Sequence, residues 1–145
     1  LTHRWLIDHV TESPRIAVTG FNPHCSDGGI FGEEEKTAIV PAIDTVRGTG
    51  IEAVGPFSAD ALFSRLELGQ YDAVVAMYHD QGMIPVKMAN KGTAVNVTLG
   101  LPVIRTSVDH GTAFDIAGKG TASPDSLKRA LRMAAQLAKP TPAGS

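Results

Sequence analysis

The run Asp72-Ala73-Val74-Val75-Ala76-Met77-Tyr78, passing straight into His79-Asp80-Gln81-Gly82, is the feature that most constrains the fold. A continuous apolar run of that length, bounded by polar turn formers, reads as a strand buried on both faces. Shorter runs at Arg15–Gly20, Ile51–Val54, Ala94–Leu99 and Val103–Thr106 are further strands. Helical spacing lies between them. Glu33–Arg47 places Ile39, Val40, Ile43 and Val46 on one face, with Pro41 predicting a kink or a restarted helix. Ser58–Leu68 turns Leu62, Phe63 and Leu66 inward. Ser123 is expected to cap a last helix that has Pro124 at its first position and Leu127, Leu131, Ala134 and Leu137 facing in. Met83–Gly92 reads as a short connection of no assigned form. This alternation predicts an α/β layered fold with a largely parallel sheet. Ligands of such sheets sit beyond the carboxyl ends of the strands. Polar loops come after Gly20, Tyr78 and Thr106, where such ligands would be.

The first residues, Leu1–Thr11, already carry a helical pattern in Leu6, Ile7 and Val10, so the chain is expected to be a piece of a longer protein. Residues 139–145 read as a loose tail. Composition narrows the function classes. Thirteen Lys and Arg against 15 Asp and Glu, with no basic run, leave no footprint for nucleic acid or an anionic membrane. No apolar stretch approaches the roughly 20 residues of a membrane span, and the start lacks a secretory layout. The lone Cys25 fits a reducing cytoplasm. No G-x-G-x-x-G comes after a strand, so an ordinary Rossmann site is not supported.

Two constellations could carry chemistry. His24, His79 and His110 occupy the three polar loops. Neutral imidazoles suit divalent transition metals, but two make a poor site without a third ligand. Asp80 could add an oxygen or orient an imidazole. Spacing alone accommodates a hydrogen-bonded turn equally well. Lys87, Asn96 and Arg105 form the second set, each nine residues from the next. Converging on a cleft they would suit a carboxylate or phosphate. Taken singly, they read as solvated surface.

In order along the chain stand Gly20-Phe21-Asn22-Pro23-His24, Gly28-Gly29-x-Phe31-Gly32-x-Glu34-Glu35 and Ala76-Met77-Tyr78-His79-Asp80-Gln81-Gly82. Val95-Asn96-x-Thr98-Leu99-Gly100-Leu101-Pro102 and Ile104-Arg105-Thr106-Ser107-Val108-Asp109-His110-Gly111-Thr112-Ala113 come next. Together these blocks resemble the 4-hydroxythreonine-4-phosphate dehydrogenase family, from about Arg15 to Leu137. The resemblance implies a homodimeric, metal-dependent, NAD-linked dehydrogenase, with its active site at the dimer interface. It also implies a three-layer α/β/α fold like that of isocitrate and isopropylmalate dehydrogenases, with residues 1–138 as the carboxyl-terminal portion. It makes His24 and His79 two of three histidine ligands to a divalent metal (zinc, magnesium, cobalt or manganese). The third belongs to an upstream Thr-His block that is absent here. Lys87, Asn96 and Arg105 take the substrate, and His79, Asp80 and Lys87 stand nearest the chemistry. Asp109–Gly120 is similar to the adenosine-binding loop of isopropylmalate dehydrogenases. By that likeness His110, Gly111 and Thr112 hold the cofactor, and Asp115 meets the ribose hydroxyls.

The stretch just past His79-Asp80-Gln81-Gly82 departs from the vitamin-pathway enzymes: Met83-Ile84-Pro85-Val86-Lys87-Met88-Ala89-Asn90 keeps the lysine but not its neighbours. The expected substrate is therefore 4-phosphohydroxy-L-threonine or a related four-carbon sugar-acid phosphate. A cis-dihydrodiol carboxylate is the alternative. A binding module that kept the metal and nucleotide loops, and a phosphate acyltransferase, are the rivals from other classes. This stretch of chain alone is expected to be inactive.

Overall fold

The computed structural model describes residues 1–65, 69–90 and 92–138. Leu66 and the expected tail at 139–145 lie outside the described residues. The chain divides into two compact units, one formed by Thr2–Pro85 and the other running from Val86 onward.

In the first unit, α1 (Thr2–His9) buries Leu6 alone, and Ile7 and Val10 stay exposed rather than joining it. Strand β1 (Arg15–Thr19) is buried from Ile16 to Thr19, the pattern of a central parallel strand covered on both faces. It pairs in parallel with β2 (Glu52–Phe57) on one side and β3 (Ala73–Val75) on the other. The sheet order is therefore β2-β1-β3. The β1–β2 register shifts between Ala17 and Thr19. Gly55 lies beside that shift with φ 139°, and a Cβ there would stand 2.4 Å from the Val18 carbonyl oxygen, so only glycine fits. At the other end of the sheet Asp72 accepts the Arg15 amide at 2.7 Å, and Arg15 pairs with Glu52 at 3.0 Å.

A wide helical turn, Glu35–Ile39, leads into α2 (Val40–Arg47). Pro41 falls in the first turn of α2, so the expected break resolves as a restart. Ile39 and Ile43 pack with Val18 and Ala53 in the core, whereas Val40 and Val46 face outward, contrary to the expected stripe. Val40 is turned about 100° around the axis from Ile39, and Val46 lies in the last turn of α2, past the Ile39–Ile43 contact with the sheet. Helix α3 (Ala59–Arg65) buries Leu62. Strand β3 is shorter than its apolar run and only partly covered, because it is an edge strand among the described residues.

The expected connection after β3 is instead a helix, α4 (His79–Asn90), which crosses the boundary between the units and carries Pro85 inside it. Its residues thus begin at His79, which opens a helix and does not sit in a polar loop.

In the second unit β4 (Val95–Thr98) and β5 (Arg105–Val108) pair antiparallel, Asn96 across from Ser107 and Thr98 across from Arg105. These two strands do not extend the parallel sheet. Residues 99–104 are too few for a parallel crossover, which needs a dozen or more. Helix α5 (Asp125–Leu137) packs on the ribbon, and the Thr106 hydroxyl donates to the Ala130 carbonyl at 2.9 Å. The N-cap is Pro124 rather than the expected Ser123, because its carbonyl accepts the first intrahelical bond, from Lys128. The Ser123 hydroxyl makes only a local contact, accepting the Asp125 amide at 3.2 Å. The buried residues are Ser126 and Ala130, so the expected inward Leu127 and Leu131 are corrected to exposed positions. Small side chains let the helix lie close to the ribbon. The Ser126 hydroxyl is satisfied against Ala94 and Asp109.

Candidate functional site

The first unit places its polar residues at a topological switch. From β1 the chain goes to β2 on one side and then returns to β3 on the other, so strand order reverses between β1 and β3. Clefts form at the carboxyl ends of the strands where this happens. Here a cavity of about 290 Å³ is lined by Asn22, His24, Asp60, Tyr78 and Gln81, among others. Phe21 and Tyr78, which lie beyond the ends of β1 and β3, stack edge to face with centroids 6.2 Å apart.

His24 begins a run of left-handed backbone that continues through Cys25, Ser26, Asp27 and Gly28. Such conformations cost about 1–2 kcal/mol per non-glycine residue, so they persist only where surrounding contacts dictate them. Glu35 supplies several. Its side chain is 5% exposed, and Oε1 accepts the amides of Phe21 at 2.8 Å and Asn22 at 2.7 Å. Oε2 accepts the Asn22 side-chain amide at 2.8 Å. Burial pushes the Glu35 carboxyl up, but the hydrogen bonds from Asn22 and Phe21 outweigh it and hold the group below the usual carboxylate range. The Ser26 hydroxyl closes the run on the Gly32 carbonyl. Asp60 is likewise held low, first by the Ser58 hydroxyl and the Ala61 amide, with His24 acting in the same direction.

His79 lies at the head of α4 with its side chain 78% exposed, outside the lining of that cavity. Its Nδ1 is 2.9 Å from Asp80 Oδ1. A carboxylate only accepts, so Nδ1 carries a proton, and in the neutral imidazole the lone pair is on Nε2. That is the arrangement of a metal-ligating imidazole with a carboxylate behind it. The donor chemistry of His24 and His79 therefore fits a divalent transition metal. Two imidazoles fall short of the three protein ligands of a catalytic zinc site. Among the described residues no three His, Cys, Asp or Glu side chains come together as a metal cluster.

In the second unit Asn96 and Arg105 share one face of the β4–β5 ribbon, opposite to Thr106, because side chains alternate along each strand and paired residues share a face. The Arg105 guanidinium donates to Thr98 Oγ1 at 2.8 Å and is otherwise exposed. Lys87 points its ammonium at the Asp109 carbonyl, 3.0 Å away. The loop after β5 lines a cavity of about 620 Å³ with His110, Gly111, Thr112, Ile116, Asp125 and Ser126 among its walls. Asp115 is exposed and does not line it, whereas Asp125 does. The residues that sequence reasoning passed over are thus Glu35, Asp60, Gln81 and Asp125. Glu35 closes the acidic run Glu33-Glu34-Glu35, which looks like a solvated face until the burial of its last member is known.

The mixed α/β chain with its parallel sheet has the isocitrate/isopropylmalate dehydrogenase-like fold of its structural neighbours. The chain belongs to the family of the pyridoxal phosphate biosynthetic protein PdxA, whose family model matches residues 1–134. It is 57% identical over 139 residues to a 4-hydroxythreonine-4-phosphate dehydrogenase of Geobacter metallireducens, covering 96% of this chain and 41% of that protein. It is also 57% identical over 127 residues to a D-threonate 4-phosphate dehydrogenase of Cupriavidus necator, covering 87% and 38%. The crystal structure of a 4-hydroxythreonine-4-phosphate dehydrogenase from Klebsiella pneumoniae superposes with a TM-score of 0.80 at 47% identity, covering 92% of this chain and 40% of that one. The chain thus spans about two-fifths of the length of these relatives.

Proposed function

We propose that the chain forms part of a metal-dependent, NAD-linked dehydrogenase that oxidises a β-hydroxy carboxylate carrying a phosphate, with subsequent loss of carbon dioxide. The substrate is 4-phosphohydroxy-L-threonine or a four-carbon sugar-acid phosphate such as D-threonate 4-phosphate. Equal identity to relatives named for each leaves both in the panel. The observation that carries the reading is His79, whose Nδ1 is committed to Asp80 at 2.9 Å at the carboxyl end of β3.

When bound, a divalent metal at His24 and His79 supplies Lewis acidity toward the substrate hydroxyl, and NAD at the His110 cavity supplies the hydride acceptor. Asp80 fixes the tautomer and orientation of His79. Arg105 presents its guanidinium fork, with Asn96 on the same face, to a carboxylate or phosphate, and Lys87 adds a point charge. His110, Gly111 and Thr112 wall the cavity for the adenosine end. Asp115 is assigned the ribose hydroxyls by its likeness to the related loop. Homodimerisation and a cytoplasmic location belong to the same proposal.

The test uses a protein that joins this chain to the upstream sequence its relatives have. Both phosphates are offered with NAD, and reduced nicotinamide is monitored. Reduction that disappears on chelation and returns with added metal supports the reading. Undiminished turnover after exhaustive chelation removes the metal from it, and silence with both phosphates removes the dehydrogenase.

A further inference from the structure

The amide of Gln81 joins the roots of the two histidine-bearing segments. Its Nε2 donates to the Gly20 carbonyl at 2.8 Å, where the chain leaves β1 toward His24. Its Oε1 accepts the Met77 amide at 2.8 Å, where the chain leaves β3 toward His79. Oε1 also accepts the hydroxyl of Thr19, which is wholly buried at the end of β1, at 2.5 Å. The backbone partners determine which end of the amide is which. A main-chain N–H only donates and a carbonyl only accepts, so the oxygen must face Met77 and the nitrogen Gly20. No other uncharged side chain of this length offers both.

We infer that Gln81 is a positioning residue that sets the separation of His24 and His79, so that one divalent cation meets both imidazoles. The inference rests on the two-histidine reading above. Metal–nitrogen bonds of about 2.0–2.1 Å tolerate little error in ligand placement, and functional groups must be held within about 0.5 Å by the residues behind them. Glu35 grips the amides of Phe21 and Asn22, and Gln81 grips the carbonyl just before them. Beside Gln81, the Thr19 hydroxyl also lies 3.3 Å from the Val75 carbonyl, one residue short of Gly20, and the ladder itself ends at Val18 and Val75. Removal of Gln81 therefore loosens the segments beyond the strand ends, from Gly20 and from Met77 onward, while the β1–β3 pairing stays in place.

Zinc titration of the chain, with the imidazole nitrogens of all five histidines monitored by NMR, tests this. In the wild type His24 and His79 should shift along one shared isotherm while His3, His9 and His110 do not. Gln81→Met removes every polar contact at similar volume. It should split that isotherm in two and weaken both by about 10–100-fold, the usual cost of losing a group behind a ligand. Gln81→Glu keeps both acceptor contacts and sets an oxygen against the Gly20 carbonyl, so it should give a smaller loss of the same kind. It also serves as the second variant if Gln81→Met fails to fold, which backbone amide dispersion reveals. A shared isotherm of unchanged affinity in either folded variant overturns the positioning role. Separate isotherms already in the wild type overturn the two-histidine site and this inference with it.

Discussion

Glu35 holds Asn22 at two points at once, its Oε1 accepting the main-chain amide at 2.7 Å and its Oε2 the side-chain amide at 2.8 Å. The carboxylate is thus the anchor for the segment that leads into the left-handed run at His24. An apolar residue in its place would leave the amides of Phe21 and Asn22 without that acceptor in a partly buried setting.

The pH dependence of stability should report this anchor. The carboxyl of Glu35 titrates below the ordinary range, so its contribution is complete above the unfolded-state value and is lost as pH falls through the folded value. Denaturation midpoints measured between about pH 7 and pH 3 should fall for the wild type, and less steeply for Glu35→Gln. Glu35→Leu should cost about 1–3 kcal/mol at neutral pH by leaving partly buried donors without their acceptor. Parallel curves for wild type and Glu35→Gln would remove the charge from the account.

Arg105 has one side-chain partner, Thr98, and stands on the open face of the ribbon. Arg105→Ala and Arg105→Lys should leave the melting temperature nearly unchanged. In the complete dehydrogenase both should raise KM for the phosphorylated substrate by about tenfold or more. The lysine fails because it keeps the charge and loses the bidentate fork. Normal KM in Arg105→Lys would show that only charge matters there.

For the cofactor, NAD should be preferred over NADP, because a carboxylate at the ribose accepts hydrogen bonds from its hydroxyls and repels a phosphate. Asp115→Asn should shrink the ratio of the two kcat/KM values by about tenfold. Asp125→Asn is the comparison, since Asp125 is the carboxylate that lines the cavity. A ratio moved by Asp125→Asn alone would transfer the ribose contact to the head of α5.

Helix α5 gives a purely structural test. Ala130 is 2% exposed and Leu131 is 62% exposed. Ala130→Leu should destabilise by about 1–3 kcal/mol through overpacking, while Leu131→Ser should leave the melting temperature of the chain unmoved. Together with Leu127→Ser, Leu131→Ser should also reduce self-association in sedimentation, because it removes exposed apolar surface.

These contrasts show where sequence was sufficient and where it was not. Strand β1 was legible because a buried run of Ile16, Val18 and Thr19 reads the same whatever lies beside it. Helix α4 was hidden by Gly82 and Pro85, which locally argue against a helix. Packing explains the glycine, since a Cβ at Gly82 would come within 3.2 Å of that of Ala76. The inward face of α5 was misread because leucines outweigh a serine in any apolar pattern. Only the partners of Ser126 show that a hydroxyl belongs inside. At the site, His79 and Asp80 were legible as neighbours in sequence, whereas Glu35 and Gln81 act on residues that are distant along the chain.

The antiparallel pairing of Asn96 with Ser107 and of Thr98 with Arg105 carries one more consequence. Every facing pair in this ribbon obeys the same arithmetic, so slipping one strand by a single residue would send Arg105 inward and bring Thr106 out. Slipping by two would restore the original faces. The loop at residues 99–104 is therefore free to change its length only in ways that preserve parity. The face that carries Asn96 and Arg105 is thus kept by an even or odd count, a condition that no single residue in the loop reveals.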